Sequence, residues 1–351
     1  MRRVILPHHI SADPAPAAGV LHDFAGRSMG TSWSVRLVAA PTAATSHLQQ
    51  GLQQQLDAVV AEMSHWEADS DLGRYNRAPA GSWQVLPAAF FDVLAFALDV
   101  ARASGGACDP CAGTLVNLWG FGPHGRFGRA DFSAPTAAAV AAARDRLAAV
   151  RHAVALAPPS AADPQRRAFQ PGGIALDLSA VAKGYGVDRL AYYLKSQGHA
   201  HYVVEVGGEL RGAGVKPDGQ PWWVALEQVD SDNDEQQTVV ALHGLAVATS
   251  GDYRRYFERD GVRYSHTIDP RSGMPVANGL ASVTVIHAQC MAADAWSTAL
   301  TVLGRKEGLA LAERLGLAAR FVERTAADGV AGARPTYTEY LSSHLRGMLD
   351  A

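Results

Sequence analysis

"ALDLSAVAKGYGVDRL", residues 175–190, joins the two kinds of secondary structure on which the fold turns. Ile174, Leu176 and Leu178 alternate as on one face of a strand, which turns Asp177 and Ser179 the other way. From about Gly184 to Val187 the period becomes helical, with Val187, Leu190, Ala191 and Leu194 as the apolar stripe and Gly198 as the stop. The first N–H groups of such a helix have no partner within it and suit an anion. Lys183, one of four lysines among 31 basic residues, adds a full positive charge at the same place. A phosphate fits there. So does an Asp177–Lys183 ion pair that pins the helix, and the stretch alone does not separate the two.

Outward from this join, strands and helices follow in no regular order. "TSWSVRLVA" (31–39) alternates as a strand, with Trp33, Val35 and Leu37 on one face. Residues 46–64 carry helical spacing through Leu48, Leu52, Leu56, Val59 and Met63. "PAAFFDVLAFALDVARASGG" (87–106) predicts a second amphipathic helix, stopped by Gly105 and Gly106. Alanine-rich residues 134–149 predict a third, and strands are expected near 152–156, 167–170 and 174–178. "HYVVEVGGELRGAG" (201–214) reads as two strands meeting at a glycine pair. Residues 222–228 and 238–248 read as further strands, with the polar run "DSDNDEQQ" (230–237) as a solvated turn between them. "VRYSHTIDPRSGMPV" (262–276) predicts a strand and a turn, "ASVTVIHA" (281–288) a strand, and 291–303 and 305–315 helices. Strands dominate without a βαβα rhythm, so the fold class is α+β.

Of the 351 residues 48% are hydrophobic and 19% charged, which allows a sizeable core and argues against global disorder. A formal charge of −3 gives no reason to expect nucleic acid or an anionic membrane as partner. Three cysteines, an odd count, argue against a disulfide framework. The N-terminal apolar run Val4–Leu6 stops at Pro7, short of the about 7–15 residues of a secretory signal. No later run approaches the about 20 apolar residues of a membrane span. As written the chain is expected to be cytoplasmic, and periplasmic if its start lies upstream.

Some strings look chemical without their context. "GFGPHG" (120–125) satisfies the dinucleotide pattern, but no strand precedes it and no helix follows, so it reads as a glycine-rich loop. "CDPC" (108–111) has redox spacing yet follows a helix stop, and alone it is half a zinc site. His8, His9, His199 and His201 lack partners at ligand spacing and are expected as ordinary surface or core histidines.

Two clusters carry more. In "CMAADAWSTAL" (290–300), Asp294 and Thr298 are four apart and share a helix face, presenting two hard oxygen atoms that suit Mg2+. By itself the pair reads more readily as an Asp favouring the helix dipole and a Thr packed or back-bonded to its own helix. In the 262–276 stretch, Tyr264, His266 and Ile268 would share a strand face before the "DPRSG" turn. That places His266 as a general base or as a satisfied structural histidine.

The motifs taken in order say more than any of them alone. "MGTSWSVRL", "MSHWEADSDLGRYN", "CDPCAGTLVNLWGFGP", "DLSAVAKGYGVDRL", "VGGELRGAG", "SGDYRRYF", "YSHTIDPRSGMPV" and "ADAWSTAL" follow one another over residues 24–304. This series closely resembles the FAD:protein FMN transferase (ApbE) family. The resemblance implies an α+β, T-fold-like core of mixed and antiparallel sheets with helices, and a ligand cleft between two lobes. It implies a domain over 24–320, after a loose leader (1–23) and before a C-terminal extension (321–351) packed on it. It also implies Mg2+-dependent (or Mn2+-dependent) transfer of FMN from FAD to a Thr or Ser of an acceptor flavoprotein, releasing AMP. Carried over by position, the metal ligands would be Asp294, Thr298 and the carbonyl of Ala180. FAD contacts would be Met29, Trp66, Ala107, Cys108, Asp109, Asp177, Lys183, Thr267 and Ile268, with His266 as the base. Two departures stand out. Cys108 and Cys111 occupy places where the family often has an aromatic residue and a Thr, and Trp66 stands where it often has Tyr.

The chemistry asks for these residue types. A pyrophosphate repels a nucleophile and gathers charge on the departing AMP, which a metal, a lysine and a helix start offset. A hydroxyl is a poor nucleophile, and a base in reach is worth about 10²–10⁴-fold. Rival readings are an Mg2+-dependent FAD pyrophosphatase, a non-catalytic flavin-binding protein and a C-x-x-C redox protein.

Overall fold

Hydrophobic period and glycine place most of the breaks in the chain, and packing decides the rest. The computed structural model describes residues 3–8, 10, 18–43, 45–124, 126–161, 163–228, 237–252, 255–259, 261–325 and 335–349. The chain opens with β1 (Arg3–Ile5), then β2 (Val20–Ser28) and β3 (Thr31–Ala39), followed by α1 (Ser46–Met63). Next come α2 (Asp71–Arg77), β4 (Ser82–Val85), α3 (Ala88–Ala103), α4 (Gly113–Leu118) and α5 (Ala137–Val150), then β5 (Leu156–Ala157) and β6 (Arg167–Gln170). After α6 (Ala182–Ser196) run β7 (Tyr202–Val206), β8 (Glu209–Ala213), β9 (Trp222–Ala225), β10 (Thr238–Leu242) and β11 (Leu245–Gly251). Two short hairpins follow, β12 (Tyr256–Arg259) with β13 (Val262–Ser265), and β14 (Ile268–Asp269) with β15 (Met274–Pro275). The chain closes with β16 (Leu280–His287), α7 (Cys290–Leu315), β17 (Ala318–Thr325), β18 (Thr336–Leu341) and α8 (Ser343–Arg346). The class is α+β, and no described helix is long and apolar enough to cross a membrane.

The chain forms two compact units. One comprises Met1–Asp57, Lys183–Gly251 and Gly279–Ala351, the other Ala58–Ala182 and Asp252–Asn278. The first is built on an eight-stranded sheet in the order β18-β17-β16-β11-β8-β7-β3-β2, antiparallel at every pairing. Trp33, Val35 and Leu37 point to one face, where they meet Leu48, Leu52 and Leu56 of α1 and Val187, Leu190 and Leu194 of α6. Further along, Val283 and Val285 meet Leu300 and Leu311 of α7. Val38, Val247 and Ile286 point the other way, onto β9, β10 and α8. That second apolar face reflects the strands' burial on both sides.

In the second unit, β4, β6 and β5 form a small antiparallel sheet. The Tyr75 hydroxyl of α2 donates to the Phe169 carbonyl at 2.8 Å, fixing that helix to β6. The hairpin β12–β13 is held by stacked rings: Tyr264 lies 5.0 Å from Phe257 and 5.4 Å from Trp119 between centroids. The Trp119 indole N–H donates to the Gly273 carbonyl at 2.7 Å and so anchors the "DPRSG" turn.

Several expectations are corrected. Residues 174–178 make no strand: Ala175 forms one isolated bridge to Ala112, because the local partners are a loop and the Asn76 side chain. The following helix starts at Ala182, earlier than the apolar stripe suggests, because the Leu178 carbonyl accepts from both Val181 and Ala182. The strand expected over 238–248 is two, parted at Gly244 with φ +76°. Residues 151–153 form a single 3-10 turn, with the strand only at Leu156–Ala157. The helices expected over 291–303 and 305–315 are the two halves of α7, broken at Gly304 (φ 74°). The leader at 11–17 and the polar run at 230–236 lie outside the described residues.

Candidate active site

In the first unit the start of α6 is completed by residues far along the chain. Lys183 pairs through Nζ with Oε1 of Glu209, the first residue of β8. The Gly184 N–H donates to Asp294 Oδ2 of α7 at 2.9 Å. That approach requires glycine, since a Cβ at 184 would lie 2.7 Å from the Cys290 carbonyl carbon and 2.8 Å from Asp294 Cβ. Two carboxylates thus face one ammonium in a buried place. Burial raises the Asp294 pKa, against the pull of Lys183 and the Gly184 N–H. Burial pushes the Glu209 carboxyl up to about 7, with Lys183 lowering it and Asp294 raising it. Glu209 Oε2 is buried without a hydrogen-bond partner among the described residues.

Two buried carboxyl groups beside one ammonium ionise fully only where a further cation joins them. The donors here are hard oxygens, which fit Mg2+. Thr298 stands one turn beyond Asp294 on the same side of α7, its Oγ1 3.1 Å from Ser250 Oγ. Asp294 is not the residue that caps α7. The Cys290 and Met291 N–H groups donate to Asp188 of α6 at 3.0 and 2.9 Å, and Asp188 is itself paired with Arg211. No three His, Cys, Asp or Glu side chains gather as a closed metal cage among the described residues, so a metal held here would complete its shell with hydroxyl, carbonyl or water oxygen.

Met29 belongs to the same unit. It sits in the two-residue turn between β2 and β3 with φ +52°, followed by Gly30 at +74°. A left-handed methionine is rare outside tight hairpin turns of this kind. Its sulfur lies 3.3 Å from where a Cβ on Gly186 of α6 would stand.

In the second unit, Asn76 acts as a strand partner for the 175–177 stretch. Its Oδ1 accepts from the Leu176 N–H at 2.7 Å and its Nδ2 donates to the Leu176 carbonyl at 2.9 Å. The Asp177 N–H donates to the Pro110 carbonyl at 2.7 Å, which ties Asp177 to the loop carrying Ala107, Cys108 and Asp109. Asp177 Oδ1 accepts from the Ser179 N–H at 2.7 Å and lies 3.4 Å from His65 Nδ1. His65 Nε2 is buried without a partner among the described residues. Ala180 occupies the turn that leads into α6. Asp109 serves its own loop, accepting from the Cys111 N–H at 2.9 Å and facing Arg151 at 3.4 Å. Burial first, and then Asp109, pushes the Cys111 thiol far above its usual range. All three cysteines are free thiols. A thiol that does not ionise is a poor redox group, which weighs against the C-x-x-C reading.

Trp66 is 36% exposed, with the Arg126 and Arg255 guanidinium carbons 4.5 and 5.7 Å from its ring centroid. Burial, then Arg126, lowers the Arg255 pKa, and Asp177 opposes them. Two guanidinium groups stacked over an indole bring positive charge and aromatic surface together, a combination that suits a ligand carrying phosphate. His266 lies just past the end of β13, and so not on a strand face with Tyr264 and Ile268. Its ring meets Phe121 edge-on at 6.3 Å. Its Nδ1 is 2.9 Å from the Arg255 carbonyl, which also accepts the His266 backbone N–H at 3.1 Å. A carbonyl only accepts, so the neutral ring carries its hydrogen on Nδ1 and its lone pair on Nε2. Thr267 and Ile268 are buried, and the Thr267 carbonyl accepts from the Val276 N–H at 2.9 Å.

The sequence pattern of the ApbE family matches residues 29–321. The chain belongs to the ApbE family. The FAD:protein FMN transferase of Vibrio cholerae is 36% identical over 326 residues, 93% of this chain and 92% of that protein. The protein of the same name from Escherichia coli is 32% identical over 318 residues, covering 91% and 88%. The apo form of Pseudomonas stutzeri flavinyl transferase ApbE has a TM-score of 0.80 at 36% identity, covering 94% of this chain and 97% of that one.

Within this ApbE chain the structure brings Lys183 to Glu209 and Asp294 in one unit, with Thr298 one turn further along α7, and Asp177 to the 107–109 loop in the other. Sequence reasoning missed Glu209, His65, Arg126, Arg255 and Asp188. Glu209 left a trace, as an acidic residue directly after the glycine pair of "VGGELRGAG". The two arginines left none, because their meeting at Trp66 depends on packing.

Proposed function

We propose that this chain transfers FMN from FAD to a threonine or serine hydroxyl of an acceptor flavoprotein, using Mg2+ (or Mn2+) and releasing AMP. The Lys183–Glu209–Asp294 cluster carries this reading, because burial pushes both carboxyl groups toward their neutral forms and a divalent cation beside the lysine would let them ionise. The names borne by the relatives support it. Asp294, Thr298 and the carbonyl of Ala180 would hold the metal, which when bound neutralises charge on the pyrophosphate. Lys183 contributes a positive charge to the same phosphates, and Glu209 holds its ammonium in place. Met29, Trp66, the 107–109 loop, Asp177, Thr267 and Ile268 are assigned to FAD contact.

In the transfer, the acceptor oxygen bonds to the FMN-side phosphorus. The bond from that phosphorus to the bridging oxygen breaks, and its electron pair leaves on AMP. The hydroxyl proton passes to Nε2 of His266. The Arg255 carbonyl, still hydrogen-bonded to Nδ1–H, orients the ring and stabilises the imidazolium.

The test is mass spectrometry of an acceptor flavoprotein incubated with enzyme, FAD and Mg2+. One FMN is expected per acceptor, abolished by EDTA and restored by Mg2+. His266→Ala should bind FAD normally and transfer about 10²–10⁴-fold more slowly. Release of FMN and AMP without attachment would replace the proposal with a pyrophosphatase. An unchanged His266→Ala rate would remove His266 as the base.

A further inference from the structure

Six of the chain's 13 histidines line one cavity of about 850 Å³ in the first unit. The strand ends place it. The start of β7 (Tyr202), the end of β8 (Ala213), the start of β11 (Leu245) and the end of β16 (His287) all reach it. Glu209 and Ser250 lie at the opposite ends of β8 and β11. At about 3.3 Å per residue, the cavity is therefore a strand length away from the Lys183 cluster.

Its lining is strongly biased in charge. Lys195 and Tyr192 come from the last turns of α6, and His199 and His201 from the connection that follows Gly198. His243 stands in the β10–β11 turn, His287 ends β16, His344 lies on α8 and His8 follows β1. Arg211 of β8 completes the set, and no Asp or Glu is among the described lining residues. Asp188 neutralises Arg211 from outside the lining, and Lys195 makes no ion pair with a described residue.

The imidazoles are set up as donors. His201 Nδ1 accepts from the Val215 N–H and His287 Nδ1 from the Gln289 N–H, each at 3.0 Å, so both rings keep their proton on Nε2. His243 Nδ1 lies 2.9 Å from the Gly214 carbonyl and donates to it. His8 and His344 meet edge to face at 5.3 Å. Burial lowers the pKa of His199, helped by His47 and His22. Burial also lowers that of His287, where Asp188 raises it and Arg211 lowers it. An anion entering the cavity offsets the penalty at His199, so its binding takes up a proton there.

We propose that this cavity is a second ligand site, which binds a small phosphorylated anion of two or more charges and binds it more tightly as pH falls through the imidazole range. It is large enough for a metabolite-sized molecule, within the about 300–1,000 Å³ of ligand pockets. Near neutral pH, Lys195 and the Nε2–H donors hold the phosphate. As pH falls, a bound anion favours the protonated form of His199 against the burial that opposes it. This inference does not rest on the flavin-transfer reading.

The test uses the full chain in EDTA with inorganic pyrophosphate as probe, followed by calorimetry at about pH 6 and about pH 8. Binding is expected to be at least about tenfold tighter at the lower pH, with net proton uptake seen as a buffer-dependent heat. Lys195→Ala combined with His344→Gln, both exposed positions, should weaken it at least about tenfold at about pH 6, while FMN transfer is unchanged. Lys183→Ala should leave this binding intact. The proposal is overturned if pyrophosphate does not bind, if its affinity does not rise at low pH, or if Lys183→Ala abolishes binding and the double variant does not.

Discussion

The two ends of α6 each carry a lysine, Lys183 and Lys195, about 18 Å apart along the axis at about 1.5 Å per residue. At the first end the lysine meets two buried carboxylates, Glu209 and Asp294. At the other it meets histidines and no carboxylate among the described lining residues. The same side chain on the same helix therefore belongs, on the two proposals, to a cation site and to an anion site. What surrounds a charge decides its use, and the antiparallel sheet separates the two surroundings by sending opposite strand ends to each.

The comparison breaks most sharply at Asp294. Asp294→Asn keeps an oxygen for the Gly184 N–H but removes the charge that would offset the proposed metal. FMN transfer should fall more than about 100-fold, since losing even an outer partner of a metal ligand costs about 10–100-fold. The metal-free melting temperature should not fall, because a buried like-charge conflict with Glu209 is relieved. A Mg2+ titration of transfer beside a thermal melt reads both, and an unchanged Mg2+ requirement would remove Asp294 from the metal site.

Glu209→Gln should cost less, about 10–100-fold in transfer, because it loosens Lys183 without removing it. Thr298→Val takes away the proposed neutral ligand and should cost about tenfold, recovered in part at high Mg2+. A rate for either variant as low as that of Asp294→Asn would mean that the cluster acts as a unit.

One substitution made at both ends of the helix sharpens the contrast in packing. Gly184→Ala drives a Cβ into the backbone of α7 and should cost about 1–3 kcal/mol, with transfer impaired as Asp294 is displaced. Gly198→Ala meets nothing within 4 Å and should cost only the left-handed backbone penalty at φ +83°, about 1 kcal/mol, with transfer unchanged. Equal melting temperatures for the two variants would contradict the tight α6–α7 approach. Lys195→Ala alone should alter neither transfer nor melting temperature, and a loss of transfer would show that the two ends are not independent.

Much of the fold was legible because its signals are local. The period of two in Trp33, Val35 and Leu37, the helical stripe Val187–Leu190–Leu194 and the glycine stops at 105–106 and 198 each lie within a few residues of chain. The order of motifs was legible for the same reason, and it pointed to the ApbE family before any contact was known. The sequence also determined Asp294 and Thr298 as neighbours, since four residues on a helix settle that alone.

Tertiary structure decided the partners. Lys183 meets a carboxylate 26 residues away, and the Gly184 N–H meets one 110 residues away. Residues 174–178 have the alternation of a strand, yet they pair with a side-chain amide and a loop. The histidines at 8, 199, 201, 243, 287 and 344 share no spacing at all. They gather because antiparallel strands return to the same end of a sheet whatever the length of chain between them, a fact of packing that periodicity along the sequence does not contain.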